Sequence, residues 1–185
     1  MADPDGVIQA AEEVCGVLAS HGVEAVVIGA IALAAHGYVR FTEDLDLGIN
    51  VDLGTLRRLA QALRTSGFEV DLREPDGADP LGGVVDVRGA FGLVQIVNFG
   101  GRFPAVIDGG VAAADTVIRP GSALRIVPLP HLVALKLCAG GAKSRADIVE
   151  LLARNPAADL SAIRDLCRGW RLSGLDPLID EAAGG

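Results

Sequence analysis

Residues 26–49 read VVIGAIALAAHGYVRFTEDLDLGI, and the reading of this stretch decides the fold. Val26, Val27 and Ile28 predict a short buried strand, Gly29 and Ala30 a tight turn, and 31–36 a helix of small residues. A loop carrying Gly37, Arg40 and Thr42 leads into a second strand with Asp44 and Asp46. Side chains two apart on a strand share a face, so the two aspartates are expected side by side while Leu45 and Leu47 turn into the core. Carboxylates at that spacing repel each other unless a cation sits between them. A divalent metal with hard oxygen ligands suits the pair. The strand–glycine–helix turn ahead of it offers unpaired backbone N–H groups to an anion. Asp-x-Asp alone also occurs at ordinary strand ends. The order of features around it is what points to a nucleoside triphosphate held through metal.

That ordered set resembles the nucleotidyltransferase superfamily with a polymerase beta-like fold, which includes kanamycin nucleotidyltransferase, DNA polymerase beta and the minimal nucleotidyltransferases. The shared pattern is an apolar strand, Gly followed by Gly or Ser, a helix, and Asp-x-Asp in an apolar strand. Arg40, Thr42, Asp44 and Asp46 match the Arg-x-Thr-x-Asp-x-Asp of the AbiEii-type, toxin-associated branch. Ala30 departs from the pattern: the backbone N–H is kept, and a Ser hydroxyl contact to phosphate is lost. The resemblance spans 23–152. It is strongest over the first motif and weak between that motif and the Lys136 segment.

Composition fits this reading. The chain has 185 residues, half of them apolar, enough for a core of ordinary size and against disorder. Net charge is −8, from 16 basic and 24 acidic residues, so the surface at large repels phosphate backbones and broad nucleic-acid binding is not expected. With five Phe, one Tyr and one Trp, an aromatic platform for single strands is not expected either. Cys15, Cys138 and Cys167 lack metal-ligand spacing and read as buried free thiols in a reducing compartment. No signal-peptide pattern and no apolar run of the ~20 residues needed to span a bilayer is visible, which points to a cytoplasmic protein with no membrane partner.

Along the chain, apolar periodicity predicts a helix over 7–20, a strand over 24–28, and an amphipathic helix over 55–66 with Leu56, Leu59, Ala60 and Leu63 inward. Strands follow at 68–73, 84–88 and 93–99, the last two joined by a hairpin turn at 89–92. A short apolar piece is expected at 105–107, nothing definite at 111–115, and a short strand at 124–127. Beyond Pro128 and Pro130 the chain reads as helices at 131–139, 144–154, 160–169 and 175–182. The expected architecture is α/β (α+β). A mixed β-sheet core with flanking helices spans 1–127, and a C-terminal helical bundle, 128–185, packs on it.

A two-metal phosphoryl transfer benefits from a third carboxylate, which can ligate metal and take a proton from the attacking hydroxyl. Two strands compete to supply it. Asp86 lies within Val84-Val85-Asp86-Val87, and Gln95 within Val94-Gln95-Ile96-Val97, where the family pattern expects an acid. An amide cannot serve as a base. Asp86 is preferred, with an exposed edge-strand Asp as its plain alternative. The segment HLVALKLCAG with SRADIVELL resembles the family's last motif, in which the lysine, here Lys136, faces the phosphates. An ion pair of Lys136 with Asp147 is the competing reading. Arg40 suits phosphate through its fork of donors, or could pair with Glu43 or Asp44. His36 has no acidic partner at triad spacing and reads as structural.

The expected activity is transfer of a nucleoside monophosphate from an NTP to an acceptor hydroxyl. Mg2+ or Mn2+ would sit on Asp44, Asp46 and Asp86, with Gly29, Ala30, Arg40, Thr42 and Lys136 at the nucleotide. The family's toxin members imply a cognate antitoxin as a partner. A nucleotide-binding module without turnover is the second reading, because of Ala30 and Gln95. A metal-dependent glycosyltransferase is set aside, since only 43 residues precede Asp44.

Overall fold

The computed structural model describes residues 4–42, 44–76, 81–101 and 103–184; Glu43, Arg102 and residues 77–80 lie outside them. A five-stranded sheet with order β1-β2-β5-β4-β3 forms the centre. Its strands are β1 (Val26–Ile28), β2 (Asp44–Ile49), β3 (Glu69–Arg73), β4 (Val84–Gly89) and β5 (Gly92–Asn98). β2 and β5 run parallel and the other neighbours antiparallel, giving the mixed sheet that the element order implies.

The two faces are chemically unlike. Leu45, Leu47, Ile49, Val85, Val87, Val94 and Ile96 are fully buried on one of them, under helices α1 (Pro4–Ser20) and α3 (Leu53–Thr65). α3 buries Leu56, Leu59, Ala60 and Leu63, the stripe that helical periodicity selects, and Asp52 caps its start by accepting from the Thr55 N–H. The opposite face carries Asp44, Asp46, Gln95 and Asp86. Helix α4 (Pro104–Ala113) covers only one end of it, at Gly48, where a Cβ would lie 2.5 Å from the Ile107 side chain. Around Asp44, Asp46 and Gln95 that face opens into a cleft, whereas Asp86 on β4 is buried.

α4 is longer than the apolar piece expected at 105–107. Its Gly109-Gly110 pair weakens the helical signal in isolation. In the fold those glycines let helix α5 (Leu129–Ala139) approach: a Cβ at Gly109 would meet His131 and Trp170, and one at Gly110 would meet Val127. The strand expected at 124–127 is reduced to isolated bridges, Ile126 with Val27 and Arg125 with Val117. It skirts the outer edge of β1 rather than extending the ladder.

Helices α6 (Gly141–Arg154), α7 (Leu160–Gly169) and α8 (Asp176–Gly184) complete the chain, and their buried residues join the same apolar cluster as the sheet. Polar contacts fasten them further. The Asn155 side chain donates to the His36 carbonyl, and His36 Nε2 lies 2.8 Å from the Val127 carbonyl, the structural role expected of that histidine. Cys15, Cys138 and Cys167 are free thiols. Burial pushes Cys15 up to about 12 and the other two up to about 11. No described helix is long and apolar enough to cross a membrane.

Asn98, at the end of β5, is buried and uses its amide fully: it donates to the Val51 and Gly82 carbonyls and accepts from the N–H groups of Val51 and Gly100. Nothing in the sequence singles it out. Asn98→Ala strands these groups and should cost about 2–3 kcal/mol, read as a lower midpoint in urea unfolding at unchanged slope.

Candidate active site

The site begins at Gly29. β1 ends at Ile28, paired in register with Asp46, and helix α2 (Gly29–Ala35) starts at the next residue. Gly29 has φ +67°, a left-handed conformation that L side chains rarely adopt. A Cβ built there would lie 1.8 Å from Asp46 Oδ2. The glycine is thus required twice, by its own backbone and by the carboxylate packed against it.

Asp44 and Asp46 project from the same face of β2, as strand alternation requires, while Leu45 and Leu47 are buried on the other. Both aspartates line a cleft of about 620 Å³ together with Ala30, Arg40, Thr42 and Gln95. Phe41 and Lys143 also border it. Thr42 turns its hydroxyl to the backbone of Asp44, accepting from its N–H at 3.2 Å and donating to its carbonyl at 3.1 Å. Its role in the geometry is to fix how β2 begins.

Asp46 is half-buried and Asp44 is exposed. Burial, and then the charge of Asp44, raise the Asp46 carboxyl above the usual range; the nearby cations Lys136, Arg40 and Lys143 act in the opposite direction. Those cations are held in part by Asp147, which is only 2% exposed. It accepts from Lys136 Nζ at 2.6 Å and from Arg40 at 3.3 Å. Lys136 is therefore engaged in the ion pair that competed with a phosphate-facing role, while Arg40 both pairs with Asp147 and lines the cleft. Lys143, at the start of α6, also lines the cleft. Only the return of α6 against the loop before β2 brings it there.

The sheet register separates the two candidates for the third position. Gln95 on β5 is the direct neighbour of Asp46, and Asp86 on β4 pairs with Gln95 one strand further out. Asp86 is 3% exposed and fully engaged: it accepts from Gln95 at 2.8 Å, Arg73 at 3.0 Å and Arg88 at 2.8 Å. The structure brings Asp44, Asp46 and Gln95 to one cleft and leaves Asp86 behind Gln95. Among the described residues no three His, Cys, Asp or Glu side chains are grouped to hold a metal ion.

The aspartate pair still fits a hard divalent cation. Mg2+ is commonly held by one or two carboxylates, with waters and substrate phosphates supplying the other oxygens. Two neighbouring carboxylates, one of them desolvated and with its protonated form favoured, are the donor set that such an ion would relieve.

Solved structures match over most of the chain, among them the following two. An antigenic nucleotidyltransferase-like protein from Paracoccidioides brasiliensis matches with a TM-score of 0.56 at 18% identity, over 98% of this chain and 94% of its own. The antibiotic-resistance factor ANT(2'')-Ia matches with a TM-score of 0.51 at 12% identity, over 89% of this chain and 90% of its own. The fold is that of the nucleotidyltransferases. No protein-family model matches the sequence, and no curated protein is significantly similar to it. Within this nucleotidyltransferase fold, the Asp-x-Asp strand, the glycine turn and the cleft on that sheet face are the features the chain's own chemistry singles out.

Two outcomes are expected. Gly29→Ala should lose about 1–2 kcal/mol from the left-handed backbone alone, with more from the displaced Asp46, and should abolish any Mg2+-dependent rise in Tm. The second concerns pH. Folded Asp46 keeps its proton to higher pH than the unfolded chain does, so the folded state binds more protons there. Metal-free stability should then fall as pH rises from the ordinary carboxylate value through the raised one. Asp46→Asn should flatten that slope, raise the metal-free Tm at neutral pH and remove the response to Mg2+, as read by calorimetry across pH.

Proposed function

We propose that the protein is a nucleotidyltransferase that moves a nucleoside monophosphate from an NTP to an acceptor hydroxyl, with release of pyrophosphate. The observation that carries this is the Asp44–Asp46 pair on one face of β2, beside the Gly29 turn, in a cleft edged by Arg40 and Lys143. Asp44 and Asp46 would hold Mg2+ or Mn2+, which when bound supplies positive charge to the triphosphate and the attacking oxygen. Arg40 and Lys143 would donate to phosphate oxygens, and Ala30 would offer its backbone. Thr42 and Lys136 would act one step back, Thr42 by orienting Asp44 and Lys136 by holding Asp147. Most of the rate would come from positioning and fixed charge.

A second reading is favoured by a specific observation. Gln95 occupies the register position beside Asp46, and Asp86 is bound to two arginines and an amide. Gln95 cannot accept the proton of an attacking hydroxyl, and Asp86 would have to leave its partners to do so. A chain with that arrangement can bind nucleotide and turn it over slowly or not at all. Calorimetric titration with Mg-ATP, together with a pyrophosphate-release assay, separates the readings: release supports the transferase, and binding without release supports the binding module. If the missing acid limits turnover, Gln95→Glu should raise the release rate by a factor on the order of 10²–10⁴, the usual contribution of a positioned base. An unchanged rate would mean that the proton leaves by another route.

The Arg40-Thr42-Asp44-Asp46 spacing supports a place in the AbiEii-type branch and, with it, a toxin role and a cognate antitoxin. Growth arrest on expression of the wild type, absent for Asp44→Asn, is the corresponding test. Residues 1–127 would form the catalytic core and 128–185 the helical region that completes its cationic wall. Three free thiols and an NTP substrate fit a cytoplasmic setting.

A further inference from the structure

Residues 37–42 lead from α2 to β2, and their exposure alternates. Tyr38, Arg40 and Thr42 are half-buried, whereas Gly37, Val39 and Phe41 face water. Val39 is 78% exposed and Phe41 87%; among the described residues Val117, at 40%, is the other exposed large apolar side chain. Phe41 is the aromatic side chain in a cleft lining that is otherwise mostly charged and polar. The loop is also pinned on both sides of Phe41. Arg40 is bonded to the buried Asp147 one residue earlier, and Thr42 to the backbone of Asp44 one residue later. The backbone that carries the ring is therefore held at the rim, and Phe41 borders the same cleft as the two aspartates.

We infer that Phe41 is the stacking surface for the nucleobase of the triphosphate, an inference that rests on the nucleotidyltransferase reading above. A nucleotide has a polyanionic end and a flat aromatic end. The cleft provides the matching pair of chemistries, carboxylates and cations inside and one aromatic face at the lip. Phe41 is three residues from Asp44, so their Cα atoms are at most ~10 Å apart, a reach comparable to a phosphate and a sugar. Stacking engages any base through its π-face, and no polar group on Phe41 reads a base edge. The consequence is recognition that ranks nucleotides by stacking area, purines above pyrimidines, rather than selecting one base strictly.

The test compares Mg-ATP, Mg-UTP and magnesium tripolyphosphate, which has the charged end without a base. Their affinities are measured by calorimetry on the wild type, Phe41→Ala and Phe41→Trp. Wild type should bind ATP more tightly than UTP, and both more tightly than tripolyphosphate. Phe41→Ala should weaken ATP roughly 5- to 100-fold and leave tripolyphosphate within twofold. Phe41→Trp should keep ATP affinity and show tryptophan quenching with ATP that tripolyphosphate does not produce. The exposed position means that all three proteins should unfold at nearly the same Tm. If Phe41→Ala binds ATP as the wild type does, or loses ATP and tripolyphosphate equally, the stacking role is overturned while the nucleotide site stands. If the wild type binds neither ligand, the nucleotide reading fails, and this one with it.

Discussion

The repulsion between Asp44 and Asp46 is the constraint around which this molecule is built. One carboxylate is exposed and the other half-buried, and the protein shifts the proton equilibrium of the buried one upward instead of separating the pair. Such an arrangement is costly for folding and survives where it serves a ligand. Gly29 makes it sterically possible, because Asp46 occupies the space that a side chain there would fill. The compensating charge comes from elsewhere in the chain. Arg40 sits on the loop before β2, Lys136 on α5 and Lys143 on α6.

Asp147 organises that compensation. Buried on α6, it holds Lys136 and Arg40 at once, so one carboxylate joins the C-terminal helices to the loop that leads into β2. A buried carboxylate with two cationic partners is well solvated by them, whereas removal of the anion would leave two cations crowded together. The C-terminal helices therefore do more than cover apolar surface. They set the electrostatic potential in which the aspartate pair sits, and they bring Lys143 to the cleft.

A parallel logic governs the sheet beyond Asp46. Gln95 stands beside it and donates its amide to Asp86, whose remaining capacity is taken by Arg73 and Arg88. This polar row neutralises a buried acid on the same sheet face without adding a third negative charge next to the first two. Electrostatically it is a comfortable solution, since three adjacent carboxylates would need more counter-charge than the cleft contains. On the proposed transferase reading it would leave an attacking hydroxyl without a protein base beside the aspartate pair, and this is why that reading turns on Gln95.

Much of this was legible in the sequence, for reasons that are local. Alternation along DLDLGI settles that Asp44 and Asp46 share a face, and apolar periodicity over Leu56, Leu59, Ala60 and Leu63 settles how α3 packs. The glycine before a small-residue helix marks the turn. The Gly109-Gly110 pair misleads in isolation, because its value lies in close approach to Val127, His131 and Trp170, contacts from a distant part of the chain. Strand register could not be read either. Whether Asp86 or Gln95 neighbours Asp46 depends on which strand pairs with β2, and pairing is a property of the whole sheet. The same holds for Lys136, whose choice between phosphate and Asp147 is made by the packing of α5 against α6. Sequence by itself determined the elements, the paired acids and the glycine that seats them, because these follow from neighbours along the chain. Tertiary structure alone decided which residues surround the pair, because charge and register act between segments that meet only when the chain is folded.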